Sequence, residues 1–251
     1  CMSERKYRVE KINYEVLTPF GPSVMTGTIP KNIYVQFKDM VEGIVKEKKE
    51  SHAERLAGRI EEEWTIGEEY LWQTQVEEFL ISVAQQYGEE VIERYYFNQF
   101  RLDSITDYHE ESKKTSKVGC NIVGGWVNEM KSSEYNPIHY HPFCNVTSVF
   151  FFNNIDEEFI KEMIAPNNKV ISGAPVENGT SGDGTLELIY KSMGYFEQGT
   201  LRIRPKEGMF LLFPSSLLHT VYPFISDKRR LSASFNFILQ SNHGVVNFGE
   251  R

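Results

Sequence analysis

Residues 208–239 read GMFLLFPSSLLHTVYPFISDKRRLSASFNFIL: two apolar runs joined by turn-forming residues, with one histidine, His219, and eleven positions later an arginine, Arg230. A strand sends successive side chains to opposite faces. From 229 to 238 that rule puts Arg230, Ser232, Ser234 and Asn236 on one face and Leu231, Ala233, Phe235 and Phe237 on the other. A half-buried strand with a solvated polar face alternates in the same way, so the pattern fixes a strand and leaves open what its polar face meets. An Arg-x-Ser pair soon after a lone histidine makes that face a candidate binding wall.

The same texture extends backward. From Val118 onward, β-branched and aromatic runs are separated by Gly, Pro, Asn and Asp, which predicts strands near 119–130, 138–142, 145–152, 185–190, 200–204, 208–213, 218–223 and 229–239. Short strands in such a series, with no helical pattern between most of them, argue for a sandwich or jelly roll. Ahead of them, residues 12–17 read as a strand. Residues 31–50 carry Ile33, Tyr34, Phe37, Met40, Val41, Ile44 and Val45 at helical spacing. A second helical segment is expected over 68–96, with Gly88 as a stop, and loops over 51–67 and 98–117. The expected fold is therefore mainly β, a sandwich or jelly roll with N-terminal helices packed on its outer face. One domain is expected over 1–251: a mostly helical supporting region at 1–117, a jelly-roll core at 118–240 and a tail at 241–251. An insertion at 153–184 contains GTSGDG (179–184), which lacks the Gly-Lys-Ser/Thr ending of a phosphate loop and reads as a surface loop.

The chain has 251 residues, 40% of them hydrophobic, and a net charge of −8, enough apolar content for a core and no basic footprint for nucleic acid. The charged start and the absence of a long apolar run predict a soluble, intracellular (cytoplasmic) protein with no membrane partner. Its three cysteines show no CxxC spacing, so neither a disulfide framework nor a cysteine zinc site is indicated.

Six histidines remain to be placed. His139 and His141 lie two apart in YNPIHYHPF (135–143), so on a strand both imidazoles share a face and converge on one point. His219, seventy-eight residues after His141, is the natural third member of a metal set. Solvated loop histidines beside Pro137 and Pro142 are the plain alternative. Residues 208–219 have the spacing of the second metal motif of cupins, with Ser216 in place of its second glycine. The first motif is not followed, because no glutamate lies at the expected distance after His141; the resemblance implies a cupin-like jelly roll, a double-stranded β-helix, with a different ligand set.

The order HxH, distant His, then Arg-x-Ser resembles the iron(II)- and 2-oxoglutarate-dependent oxygenases. More narrowly, NPIHYHP (136–142), LLFPSSLLHTVYPF (211–224) and RRLSASFNF (229–237) resemble an oxygenase family common in phage and marine bacterial genomes, over about residues 119–239. The resemblance implies Fe(II) held by His139, His141 and His219, 2-oxoglutarate with its far carboxylate on Arg230 and Ser232, dioxygen as oxidant, and succinate and a hydroxylated product. If the gene is phage-borne, the location it implies is the host cytoplasm. Substrate is left open between a small molecule and a protein side chain, as is oligomeric state. Two departures stand out. His141 occupies the place where a carboxylate is usual, and Thr147-Ser148-Val149-Phe150-Phe151 replaces Ser-Gly-Val-Tyr-Tyr, which removes any tyrosine hydroxyl contact to the cosubstrate. Asn128 is expected along the pocket wall, in contact with cosubstrate or substrate or in a structural hydrogen bond, and Trp126, Phe150 and Phe152 are expected as an apolar rim, with the choice of which phenylalanine faces inward left open. Two rival readings are a three-His cupin dioxygenase or isomerase without 2-oxoglutarate, and a non-catalytic jelly-roll binding module.

Overall fold

The computed structural model describes residues 13–17, 21–48, 51, 60–99, 118–156, 159, 183–191 and 199–241. Expectations for 98–117 beyond Gln99, for most of the 153–184 insertion, and for the tail after Ser241 lie outside the described residues, as do His52, His109 and His243.

Strands β4 (Val118–Met130), β5 (Asn136–His139), β6 (Val146–Phe151), β7 (Leu186–Ile189), β8 (Thr200–Ile203), β9 (Met209–Pro214), β10 (Leu218–Val221) and β11 (Arg230–Ser241) follow the eight predicted from sequence. They divide between two antiparallel sheets. The minor sheet has the order β5-β10-β7-β8, and β9-β6-β11-β4 form the middle of a seven-stranded major sheet. Successive strands thus alternate between sheets, apart from pairs β7–β8 and the return from β11 to β4, which is the winding of a double-stranded β-helix. Three further strands extend the major sheet: β1 (Asn13–Leu17) and β2 (Val24–Thr28) beyond β9, and β3 (Glu62–Thr65) beyond β4.

The alternation in 229–238 separates two cores. Leu231, Ala233, Phe235 and Phe237 join a cluster that includes Phe150 and Phe210 of the major sheet, Ile33, Phe37 and Val41 of helix α1 (Lys31–Glu47), and Phe79, Leu80 and Val83 of helix α3 (Gln75–Gln99). The helices cover the outer face of the major sheet. Between the sheets lies a second cluster, with Val149, Phe151, Leu188, Leu211, Phe213 and Phe224. Phe150 and Phe152 belong to the helix-side cluster, so they are not the pocket rim expected of them. Odd-numbered positions of β6 face the space between the sheets, where Phe151 joins the second cluster.

Helix boundaries differ from the sequence pattern for local reasons. A short α2 (Glu68–Leu71) ends before Gln73, whose φ is +57°. Thr74 then caps α3, its Oγ1 accepting from the Glu77 N–H at 3.1 Å while the Glu77 carboxylate accepts from the Gln73 N–H at 2.9 Å, close to a capping box. Gly88 does not stop α3. A Cβ there would lie 3.0 Å from Leu239 Cδ1 and Val118 Cγ1, so the glycine lets the helix lie close on β4 and β11. The expected loop at 51–67 contains β3, whose sequence EEWT has no apolar alternation to announce it.

Gly125 of β4 is a tight point of the major sheet's outer face. A Cβ would stand 2.6 Å from two ring carbons of Phe235, which is fully buried. Gly125→Ala should lower stability by about 2 kcal/mol through overpacking, read as a fall in the urea midpoint at unchanged slope.

Candidate functional site

The polar face of β11 lines a cavity between the two sheets. Arg230, Ser232 and Ser234 stand on its floor beside Trp126 and Asn128 of β4, and His139, His219 and Val221 close it from the minor sheet. Registry produces this directly. Ser232 pairs with Asn128 and Ser234 with Trp126 across β11 and β4, and His219 pairs with His139 across β10 and β5.

His141 arrives differently from the sequence expectation. Strand β5 ends at His139, and His141 sits just past it, its N–H donating to the Ser215 carbonyl at 3.0 Å. The turn after Pro214 that positions His219 therefore also ties down His141. Ser215 holds this corner further, donating to the Cys144 carbonyl at 2.6 Å.

One nitrogen from each of His139, His141 and His219 lies within 4.8 Å of the others. The His139 and His141 rings are 5.2 Å apart, and the His139 and His219 rings 4.2 Å. His139 Nδ1 meets the Pro137 carbonyl at 2.7 Å and His219 Nδ1 meets the Leu217 carbonyl at 2.9 Å. Both contacts require a proton on Nδ1, which leaves each Nε2 as a lone pair for a metal. His141 Nε2 stands 3.1 Å from His219 Nε2. Two neighbouring ligands at right angles, each about 2.1 Å from a metal, would be about 3.0 Å apart, so the spacing suits adjacent corners of a coordination shell. Burial lowers the basicity of His139 and His219, and the neighbouring imidazoles lower His219 further. The rings are thereby held neutral, as metal ligation requires. Trp126 stacks on His141 with centroids 5.4 Å apart, and Phe213 meets His219 edge-on at 5.1 Å. These apolar surfaces fix the rings and keep water from two sides of the cluster.

Arg230 is the second component. It is 3% exposed, its Nε donates to the Gly184 carbonyl at 3.2 Å, its Nη1 donates to Ser232 Oγ at 3.2 Å, and its guanidinium lies over the Phe151 ring at 5.3 Å. Among the described residues no carboxylate pairs with it. Burial pushes its pKa down to about 10. A buried, unpaired guanidinium with a hydroxyl beside it is suited to an anion, and a carboxylate fits its fork best. Arg229 turns the other way and bridges Glu129 and Glu42, each at 2.5 Å.

Asn128 is 6% exposed and lines the cavity, its Nδ2 donating to Ser234 Oγ at 3.4 Å while its Oδ1 has no partner. Sequence reading did not single out Thr147, Asn136 or Ile60, which also line the cavity. Alternation with Val149 and Phe151 places Thr147 on the inner face. No comparable signal marks Ile60, which precedes a strand without a pattern.

Residues 124–236 match a family model described as "Putative 2OG-Fe(II) oxygenase". No curated protein is similar to the chain in sequence. Among solved structures, the chain resembles a Pseudomonas putida prolyl-4-hydroxylase at 12% identity, TM-score 0.48, covering 86% of this chain and 91% of that one. It also resembles a Trichoplax adhaerens prolyl hydroxylase, solved with a hypoxia inducible factor peptide fragment, at 14% identity, TM-score 0.48, covering 90% and 83%. No helix among the described residues is long and apolar enough to cross a membrane. The matched segment runs from the middle of β4 into β11 and contains all three histidines and the Arg-x-Ser pair, so the similarity to the 2OG-Fe(II) oxygenase family spans the whole of the candidate site.

Proposed function

We propose that the chain uses His139, His141 and His219 to hold Fe(II) and Arg230 with Ser232 to hold the far carboxylate of 2-oxoglutarate, and that it hydroxylates a substrate entering the same cavity. The observation that carries this reading is the pairing, in one cavity, of three convergent imidazoles with a buried guanidinium that has no carboxylate partner among the described residues. A three-His cupin that acts without a cosubstrate would have to use that guanidinium for an anionic group of its own substrate, and succinate release separates the two readings.

Bound iron would supply the oxidising chemistry, with 2-oxoglutarate and dioxygen consumed and succinate and carbon dioxide formed as the substrate is hydroxylated. The chain's own residues bind, orient and exclude water. Arg230 and Ser232 fix one end of a dicarboxylate, so that its other end is directed at the histidines. Trp126 and Phe213 wall the histidines with apolar surface, which limits access of bulk water to the reacting region. Asn128, on the floor between Ser232 and the open edge of the sheet, offers an unsatisfied acceptor to whatever shares the cavity.

Anaerobic addition of Fe(II) and then 2-oxoglutarate to the metal-free protein should produce a visible metal-to-ligand charge-transfer absorption, and admission of air should release succinate. A protein that binds iron yet shows neither absorption nor succinate would rule out the cosubstrate and leave the three-His cupin reading.

A further inference from the structure

Strand β3 adds one feature beside the cavity that takes no part in the histidine cluster. Glu63 pairs with Asn128 across β3 and β4, and Asn128 pairs with Ser232 across β4 and β11. Three side chains therefore stand in one cross-strand row on the inner face of the major sheet: Ser232, Asn128, Glu63. With strands about 4.8 Å apart, the row carries polar groups some 10 Å outward from the floor beside Arg230.

Glu63 is 1% exposed, and neither of its carboxylate oxygens has a hydrogen-bond partner; the neighbouring Asn128 Oδ1 also has none. Buried acceptors are rarely left unmade, since each costs about 1–3 kcal/mol. Two of them side by side define a place that a donor should fill. Asn128, the middle member of the row, lines the cavity, and Glu63 stands next to it on the same face of the sheet. No arginine or lysine pairs with Glu63 among the described residues; its electrostatic neighbour is Glu134, and burial together with that charge pushes its pKa up to about 7. A cation brought to Glu63 would relieve both effects. The row is thus electrostatically polarised, from a bare guanidinium beside Ser232 on the cavity floor to a bare carboxyl behind Asn128.

We propose that Asn128 and Glu63 form the substrate-recognition end of the cavity, and that the group they take is a cationic nitrogen with several N–H donors, a guanidinium or alkylammonium, on the molecule to be hydroxylated. This rests on the oxygenase reading above, which assigns the Arg230 end to the dicarboxylate. A guanidinium matches the pair most fully, because its donors lie in one plane and can reach two acceptors on adjacent strands at once.

Isothermal titration of n-butylguanidinium and of its neutral counterpart n-butylurea tests the assignment. It is run on the protein loaded anaerobically with Fe(II) and 2-oxoglutarate, and in parallel on the metal-free protein. The wild type should bind the guanidinium about tenfold or more tightly than the urea, as expected when a buried carboxylate gains a charged donor. The isosteric Glu63→Gln should erase that preference, and Asn128→Ala should weaken both probes. No binding, equal binding, or a preference that survives Glu63→Gln overturns the proposal, the last two pointing to a buried water between the acceptors. Because the preference is also measured without metal, a missing charge-transfer absorption would remove the oxygenase reading while leaving the cation site independently decided.

Discussion

Arg230→Met should abolish both the charge-transfer absorption and the thermal stabilisation given by 2-oxoglutarate, while leaving the ligand-free protein as stable as the wild type or more so. The wild-type guanidinium is 3% exposed, has only neutral partners among the described residues, and is pushed down to about 10 by burial. For a base, a folded-state pKa below the unfolded value means that the charged form is disfavoured in the fold. The displacement of about 2.5 units corresponds to a cost on the order of 3 kcal/mol, present throughout the pH range below 10 and relieved only above it. Methionine of similar length removes that cost and leaves Phe151 in contact with an apolar chain, in line with buried charges replaced by hydrophobic groups. A dicarboxylate binding the wild type repays the same cost. At a hundred times its dissociation constant it should add roughly 2.7 kcal/mol, or about 5–10 °C in Tm for a chain of this size. Scanning fluorimetry of wild type and Arg230→Met, with and without 2-oxoglutarate, separates the outcomes. A methionine variant several degrees less stable, or one still stabilised by the dicarboxylate, would show that Arg230 is a structural cation and not an anion site.

How far the sequence announced these features depends on whether a residue's role is written in periodicity. The eight jelly-roll strands were legible because one or both faces of each are covered, which forces apolar residues to recur at period two or continuously; β6, buried at all six positions, is the extreme case. His139, His219, Arg230 and Ser232 were legible because each falls on the inward face of such a strand or at its end. His141 was placed on a strand by the same rule, yet it reaches the cluster from a turn held by Ser215. That hydrogen bond joins residues far apart in sequence and leaves no local trace. The assignment of Phe150 and Phe152 to the cavity failed because three consecutive phenylalanines (150–152) carry no alternation; only the pairing of β6 with β11 and β9 decides which one faces inward. Gly88 read as a helix stop because glycine commonly ends helices, whereas here it makes room for Leu239 and Val118. Glu63 was invisible for the opposite reason to the strands: a carboxylate in EEWT looks solvated, and its burial is imposed by the docking of an edge strand.

The largest loss is expected at the metal. His219→Ala should reduce Fe(II) affinity by on the order of 100-fold or more and abolish succinate formation, whereas His141→Asp should retain iron. His219 is 6% exposed, carries its proton on the side of the Leu217 carbonyl, and stands 3.1 Å from His141 Nε2. Its removal takes away a preoriented ligand that two remaining imidazoles cannot replace, and loss even of an outer-shell partner commonly costs 10–100-fold. At 141 the resemblance to the oxygenases makes a carboxylate the usual occupant, so aspartate substitutes one ligand type for another. The exchange also changes charge. Three neutral imidazoles leave the full double charge of Fe(II) to be balanced by 2-oxoglutarate, while an aspartate supplies one negative charge and raises the energy of the metal electrons. The charge-transfer absorption of His141→Asp should therefore move to longer wavelength than that of the wild type, and His141→Ala should bind iron more weakly than either. Metal content after purification without chelator, followed by anaerobic titration of all three variants, reads both quantities. Stoichiometric iron in His219→Ala would remove the three-histidine assignment altogether. Iron kept at wild-type affinity in His141→Ala would instead show that His141 does not ligate.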